Sequence, residues 1–151
     1  MNLSCQCPCG QQSFEVTGQP VMRFICHCTI CQKVYKKPFA DIIAVKSSQV
    51  VKPLGHGILF AKHRRYPNVN RGICVACNNP VVGFMPVAPM FGLAFIPAAN
   101  FVNQDTLPSP TIHTFYHRRL SEVDDGLPKV SGYLKSQWAV TRDFMVNLLK
   151  Q

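Results

Sequence analysis

The run VVGFMPVAPMFGLAFIPAA, Val81–Ala99, decides the fold. It carries no charge, and the charge-free interval around it reaches from just after Arg71 to just before Asp105. By length alone the run approaches the roughly 20 apolar residues of a membrane-spanning helix. Yet Pro86, Pro89 and Pro97 stand inside it, with Gly83 and Gly92. An internal proline removes a helical hydrogen bond, and its ring clashes with the preceding turn. One continuous helix is therefore excluded. Short apolar runs rich in Val, Ile and Phe fit strands covered on both faces. The stretch predicts two such strands, Val81–Val87 and Met90–Pro97, turning at Ala88-Pro89.

Outward from this pair the chain continues to read as strands. Gln12–Thr17 alternates, with Phe14 and Val16 on one side, and Gly18-Gln19-Pro20 makes a turn. Val21–Cys26, Phe39–Val45, Gly57–Phe60 and Thr111–Tyr116 are further strand candidates. Thr29–Tyr35 reads as one or two turns of helix. Ser136–Lys150 is the one clear amphipathic helix, with Trp138, Met145, Leu148 and Leu149 on a common stripe expected to dock on the core. The 12 prolines and 9 glycines are scattered, so no linker or repeat divides the 151 residues. One mainly β domain spanning 1–151, with a core over about 4–130, is expected. Hydrophobic residues make up 47% and charged residues only 15%, which argues against disorder.

Eight cysteines fall in three tight groups: Cys5, Cys7 and Cys9; Cys26, Cys28 and Cys31; Cys74 and Cys77. The start, Met1-Asn2-Leu3-Ser4-Cys5, has neither a basic nor an apolar leader segment, so a reducing, cytoplasmic setting is expected. A disulfide across Cys-x-Cys would also be strained. Close spacing suits tetrahedral zinc, whose thiolate ligands lie about 2.3 Å from the ion. Two zinc ions per chain are expected. Cys7, Cys9, Cys74 and Cys77 make two pairs, enough to close a structural site. Such a site can contribute on the order of 10 kcal/mol to folding. Cys26, Cys28 and Cys31 supply three ligands. That count leaves a fourth position for water or substrate, as in catalytic zinc. Alternatively Cys5 or His27 completes a second structural site. His27 is read first as pointing away from the metal, and His113 first as a strand residue.

The motifs Cys7-Pro8-Cys9-Gly10, Cys26-His27-Cys28-Thr29-Ile30-Cys31-Gln32 and Arg71-Gly72-Ile73-Cys74-Val75-Ala76-Cys77 resemble those of the glutathione-dependent formaldehyde-activating enzyme (GFA) family. That family also contains centromere protein V-like proteins. Its pattern runs C-x-C-G, C-H-C-x-x-C and R-x-F-C-x-x-C-G in this order. Ile112-His113-Thr114-Phe115 and Asp124-Asp125-Gly126-Leu127-Pro128 resemble its closing segment, so the likeness covers roughly residues 4 to 130. It implies an Mss4-like zinc-binding β fold. It implies a structural zinc on Cys7, Cys9, Cys74 and Cys77 and a catalytic zinc on Cys26, Cys28 and Cys31. The implied activity is that of a carbon–sulfur lyase, joining glutathione and formaldehyde as S-hydroxymethylglutathione. Lys33, Lys36 and Lys37 would then be partners for glutathione's carboxylates.

The chain departs from the pattern at named positions. Lys36 replaces a glycine or small residue. Asn78 replaces the glycine after the second knuckle, and Asn tolerates the left-handed conformation better than most residues. Ile73 replaces phenylalanine, and an aromatic residue near Ser121-Glu122 is missing.

A second function class follows from charge. Sixteen Lys and Arg against seven Asp and Glu give a formal +9. Lys62-His63-Arg64-Arg65-Tyr66 and Tyr116-His117-Arg118-Arg119 are short basic clusters of the kind that contact phosphates. A non-catalytic two-zinc module binding an acidic partner such as nucleic acid is the alternative. Seven thiolates remove seven charges and two Zn²⁺ return four, leaving +6, which weakens that alternative.

Overall fold

A computed structural model describes residues 2–51, 56–88 and 91–150. In chain order these form β1 (Asn2–Gln6), β2 (Ser13–Thr17), β3 (Met22–Cys26), α1 (Thr29–Tyr35), β4 (Ala40–Lys46) and β5 (Val50–Val51). They continue with β6 (Ile58–Lys62), β7 (Asn70–Cys74), β8 (Pro80–Ala88), β9 (Phe91–Pro97), β10 (His113–Thr114) and α2 (Tyr133–Leu148). One sheet has the order β1-β2-β5, and a second has the order β10-β3-β4-β9-β8-β7-β6. All pairings are antiparallel except that of β10 with β3.

Alternation assigns the faces. In β1 and β2, Leu3 pairs with Val16 and Cys5 with Phe14, and all four side chains turn inward. They meet Ile43, Val45, Ala94 and Ile96 from one face of the large sheet. The opposite face of the same strands offers Ile42, Ala44, Leu93 and Phe95, which pack with Cys31 of α1 and with Ala139 and Phe144 of α2. β4 and β9 are thus buried on both sides, the usual environment of continuous apolar strands. The fold is a small sheet, a large sheet and a helical layer, in that order: the mainly β architecture with one C-terminal helix that the sequence implies.

The decisive run resolves as β8 and β9, with Met85 opposite Leu93 and Gly83 opposite Phe95. The expected turn at Ala88-Pro89 runs into residues outside those described. No described helix is long and apolar enough to cross a membrane.

Two expectations are corrected. The strand expected over Thr111–Tyr116 shrinks to His113–Thr114, because Phe115 takes φ 54°, a left-handed conformation that ends extended chain. The docking stripe of α2 is also a different one. Trp138, Met145 and Leu149 are exposed, at 64%, 49% and 83%, and Leu148 alone of the four packs against the core. The buried face is Ser136, Ala139 and Phe144. Small residues let the helix axis approach the sheet, while the Trp138 ring lies outside under the Arg142 guanidinium.

Candidate metal centres

Cys7 follows the end of β1, and Cys74 ends β7. Each opens a tight knuckle. In the first, the Gly10 N–H donates to the Cys7 carbonyl at 2.9 Å, and Gly10 turns through φ 77°. In the second, the Asn78 N–H donates to the Cys74 carbonyl at 2.8 Å, and Asn78 takes φ 60°. Asn therefore fills the left-handed post of the family's glycine, as its short amide side chain permits. The knuckles bring the Sγ atoms of Cys7, Cys9, Cys74 and Cys77 within 4.8 Å of one another. Cys7 and Cys9 approach to 3.3 Å, and Cys9 and Cys74 to 3.8 Å. Sulfurs on one tetrahedral zinc lie about 3.8 Å apart, given a Zn–S bond of about 2.3 Å. The four thiols fit such an ion. This centre sits on the small-sheet side, where Cys7 and Cys74 are part of the core.

The trio lies on the other face. β3 delivers Cys26 to its end, and Cys28 caps α1, accepting the Cys31 N–H at 3.4 Å. All three thiols are buried and their sulfurs lie within 4.8 Å of one another. The Cys26 and Cys31 thiols hydrogen-bond to Cys28, whose thiol is held far below its ordinary value; the Cys31 N–H and Arg71 act in the same direction. In turn the Cys28 neighbour pushes Cys26 up to about 12, and Cys31 is raised by hydrogen bonding with both. A cation held by all three would take them as thiolates, since metal ligands bind deprotonated.

Neither proposed fourth ligand joins the trio. Cys5 stays in the core opposite Phe14, and burial pushes its thiol up to about 12. His27 turns to a different network: its Nε2 lies 2.8 Å from His113 Nδ1, and His113 Nε2 lies 2.6 Å from Asp125 Oδ2. An ionised carboxylate only accepts, so His113 donates from Nε2. With both rings neutral, His27 then donates from Nε2 to His113. Both rings are buried, and Tyr116 packs edge-on against each. Burial, followed by the neighbouring His113, pulls His27 down to about 4. His113 is thus both a strand residue and the centre of a chain that braces the Cys26–Cys28 turn.

Beside the trio opens a cavity of about 430 Å³ that Cys26, Cys28 and Cys31 all line. No member of the quartet lines it. Its size is that of a small-molecule site. Its walls are mostly apolar, from β9, β8 and α2, with Tyr35 at the end of α1. The lysines expected to serve a substrate do not line it: Lys33, Lys36 and Lys37 are exposed. Arg64 and Arg71 line it instead. Position in sequence marked the lysines as neighbours of the trio, but α1 turns them outward. Arg71 lay in the quoted knuckle motif, and only its strand face shows where it points. Lys36 ends α1 at φ 53°, donating its N–H to the Gln32 carbonyl, so the family's glycine is replaced where glycine fits best.

The second basic cluster is partly taken up by the protein itself, with Arg118 left exposed. Tyr116 is buried with its hydroxyl on Glu122 at 2.9 Å, Arg119 pairs with Glu122, and His117 Nδ1 accepts the Gly132 N–H at 2.8 Å.

Compared with known proteins, residues 2–118 match the family model described as glutathione-dependent formaldehyde-activating enzyme. No curated protein gives a significant match to the chain.

Proposed function

From a chain that belongs to the glutathione-dependent formaldehyde-activating enzyme family, we propose a zinc-dependent carbon–sulfur lyase that forms or cleaves a thiol–aldehyde adduct. The observation that supports this reading is the asymmetry of the two centres. Four thiols gather in one, whereas three gather in the other and line a cavity. In this reading Cys7, Cys9, Cys74 and Cys77 hold a structural zinc, and Cys26, Cys28 and Cys31 hold a catalytic one. Zinc on the trio would supply Lewis acidity and a fourth position for a substrate sulfur or oxygen.

The reaction is an addition with no redox change. The thiol sulfur bonds to the aldehyde carbon, the C=O π pair moves to oxygen, and the thiol proton ends there. The chain's own residues set the stage. Apolar walls exclude water from the reacting carbon. Tyr35, whose hydroxyl burial raises well above its ordinary range, keeps its proton and can donate to an oxygen in the cavity. The braced Cys26–Cys28 turn fixes the direction of two sulfurs.

The test is exchange spectroscopy with ¹³C-formaldehyde and glutathione on the zinc-loaded chain. Adduct exchange should be accelerated over the buffer rate, and Cys28→Ser should abolish the acceleration while leaving one zinc bound. Buffer-rate exchange by the two-zinc protein would overturn the proposal.

A further inference from the structure

The cavity wall is unlike the surface that a small, fully polar substrate needs. Phe91, Leu93 and Phe95 of β9 and Val140, Phe144 and Leu148 of α2 all line it, with the Phe91 and Phe144 rings in contact, their centroids 5.8 Å apart. Such a surface gains by covering apolar carbon, at about 0.8 kcal/mol for each CH₂ removed from water. Formaldehyde offers no such carbon, and the cavity's 430 Å³ far exceeds what it would fill.

Two cations interrupt the apolar lining. Arg71 lies on β7 beside Gly83 of β8, and the absence of a Gly83 side chain leaves room against its stem: a Cβ there would stand 3.5 Å from Arg71 Cγ. Arg64 lies over the Tyr133 ring, 5.7 Å from its centroid. Both are half-buried, and among the described residues neither pairs with a carboxylate. A half-buried guanidinium in an apolar wall calls for an anion. Arg64 and Arg71 line the same cavity as the trio, so an anion entering it has two guanidinium partners.

We propose that the trio cavity takes a monoanionic amphiphile: a medium-chain or aromatic body on the β9–α2 wall, with a single carboxylate-like group held by Arg64 and Arg71. This rests on the lyase reading for the chemistry, but the recognition is a property of the cavity itself. In that reading the cavity admits, besides formaldehyde, an aldehyde whose long or aromatic body bears an acid.

Equilibrium binding separates the two proposals. The zinc-loaded chain is titrated calorimetrically with octanoate, acetate, octanol and octylammonium. Octanoate should bind at least a hundredfold tighter than acetate and at least tenfold tighter than octanol, with octylammonium weakest. Arg71→Gln and Arg64→Gln should each cost octanoate about tenfold and leave octanol unchanged. Thr141→Trp, at an exposed rim position of α2 that lines the cavity, should weaken octanoate and octanol alike. Circular dichroism and zinc content confirm that each variant is folded and loaded. Equal affinity for octanoate and acetate would overturn the apolar half of the proposal. Unchanged octanoate binding in both arginine variants would overturn the anionic half, leaving the arginines as counterions of the trio. Octanoate binding without formaldehyde exchange would sink only the formaldehyde chemistry. Formaldehyde exchange without octanoate binding would sink only this inference.

Discussion

The quartet and the trio occupy opposite faces of one sheet and solve different problems. The quartet joins two knuckles whose facing cysteines, Cys9 and Cys74, lie 65 residues apart in sequence. Its neighbours are core side chains of both sheets. The trio is local, spanning Cys26 to Cys31, and its long-range support comes from hydrogen bonds and from the roof that α2 places over the cavity. A metal clip across a long loop stabilises by restricting a chain that would otherwise be free, and the gain grows with loop length. A local trio contributes less to folding and leaves room for a ligand. In the proposed reading, four-ligand closure and stability go with the quartet, and an open coordination position and chemistry with the trio.

That division is open to attack first through the ligands. Cys74→Ser, at a position with no exposure, should either prevent folding or leave about one zinc per chain with a severely lowered melting temperature. On the order of 10 kcal/mol of metal-coupled folding is at stake. Cys28→Ser should also leave about one zinc but a far smaller loss of stability. Metal analysis with thermal melts decides, and equal destabilisation by the two would break the comparison.

The next largest effect is on the roof. Phe144→Ala should cost about 3–5 kcal/mol, the range for a buried phenylalanine. Trp138→Ala should stay within about 0.5 kcal/mol, as exposed positions do. Denaturant unfolding of both variants checks which stripe of α2 docks. Because the roof covers only the trio, Phe144→Ala should leave quartet zinc in place.

Lys36→Gly is a smaller probe of the trio side. It relieves a left-handed lysine at the end of α1 and should stabilise by about 1 kcal/mol. A loss of stability would mean that the lysine stem is packing in a way its exposure does not show.

The smallest expected effect concerns acid. The hydrogen bond from His113, helped by Leu127 and Lys129, holds the Asp125 carboxyl well below its usual range. Its contribution is therefore present above the ordinary carboxylate pKa and fades as pH falls through and below it. Asp125→Asn should lower stability at pH 7 and narrow its gap from the native chain as pH drops toward 3. Unfolding curves of both proteins at matched zinc loading read this difference. A gap independent of pH would show that the carboxylate's charge is not what braces His113.

How much of this could be read beforehand depended on whether the signal was local. β8 and β9 were legible because prolines forbid a helix in a run too apolar for a loop. α1 was read at its full extent as one or two turns following the Cys26–Cys31 cluster, and the structure adds that Cys28 caps it. The three cysteine groups were legible because spacing within each is a local matter, whereas the joining of two pairs 65 residues apart followed only from counting ligands and from the family pattern. β1, β5 and β7 were not picked out: β5 has two residues, and Arg71 and Gly72 hide the strand character of β7. The α2 stripe was misjudged because hydropathy favours Trp138 and overlooks Ser136 and Ala139, whose small size is what lets the helix dock. The cavity's cations escaped for the same kind of reason. Which face of β7 meets the trio is decided by strand order, and nothing within the strand announces it.

The late hydrogen bonds to β10 also bear on the order in which the molecule is made. The Val130 N–H donates to the His113 carbonyl, the Tyr116 N–H to the Val130 carbonyl, and the Phe115 N–H to Ser136 Oγ at 2.8 Å. Every cysteine of the quartet has left the ribosome once residue 77 emerges, and domains begin to fold from the N-terminus as they appear. The trio's cysteines emerge earlier still, yet their brace waits for residue 125 and their roof for residues 133–148. During synthesis three thiols therefore stand in an unfinished pocket while half the chain is still to come. The nascent protein is most open to stray metals and oxidants in that interval, on the face that α2 later roofs.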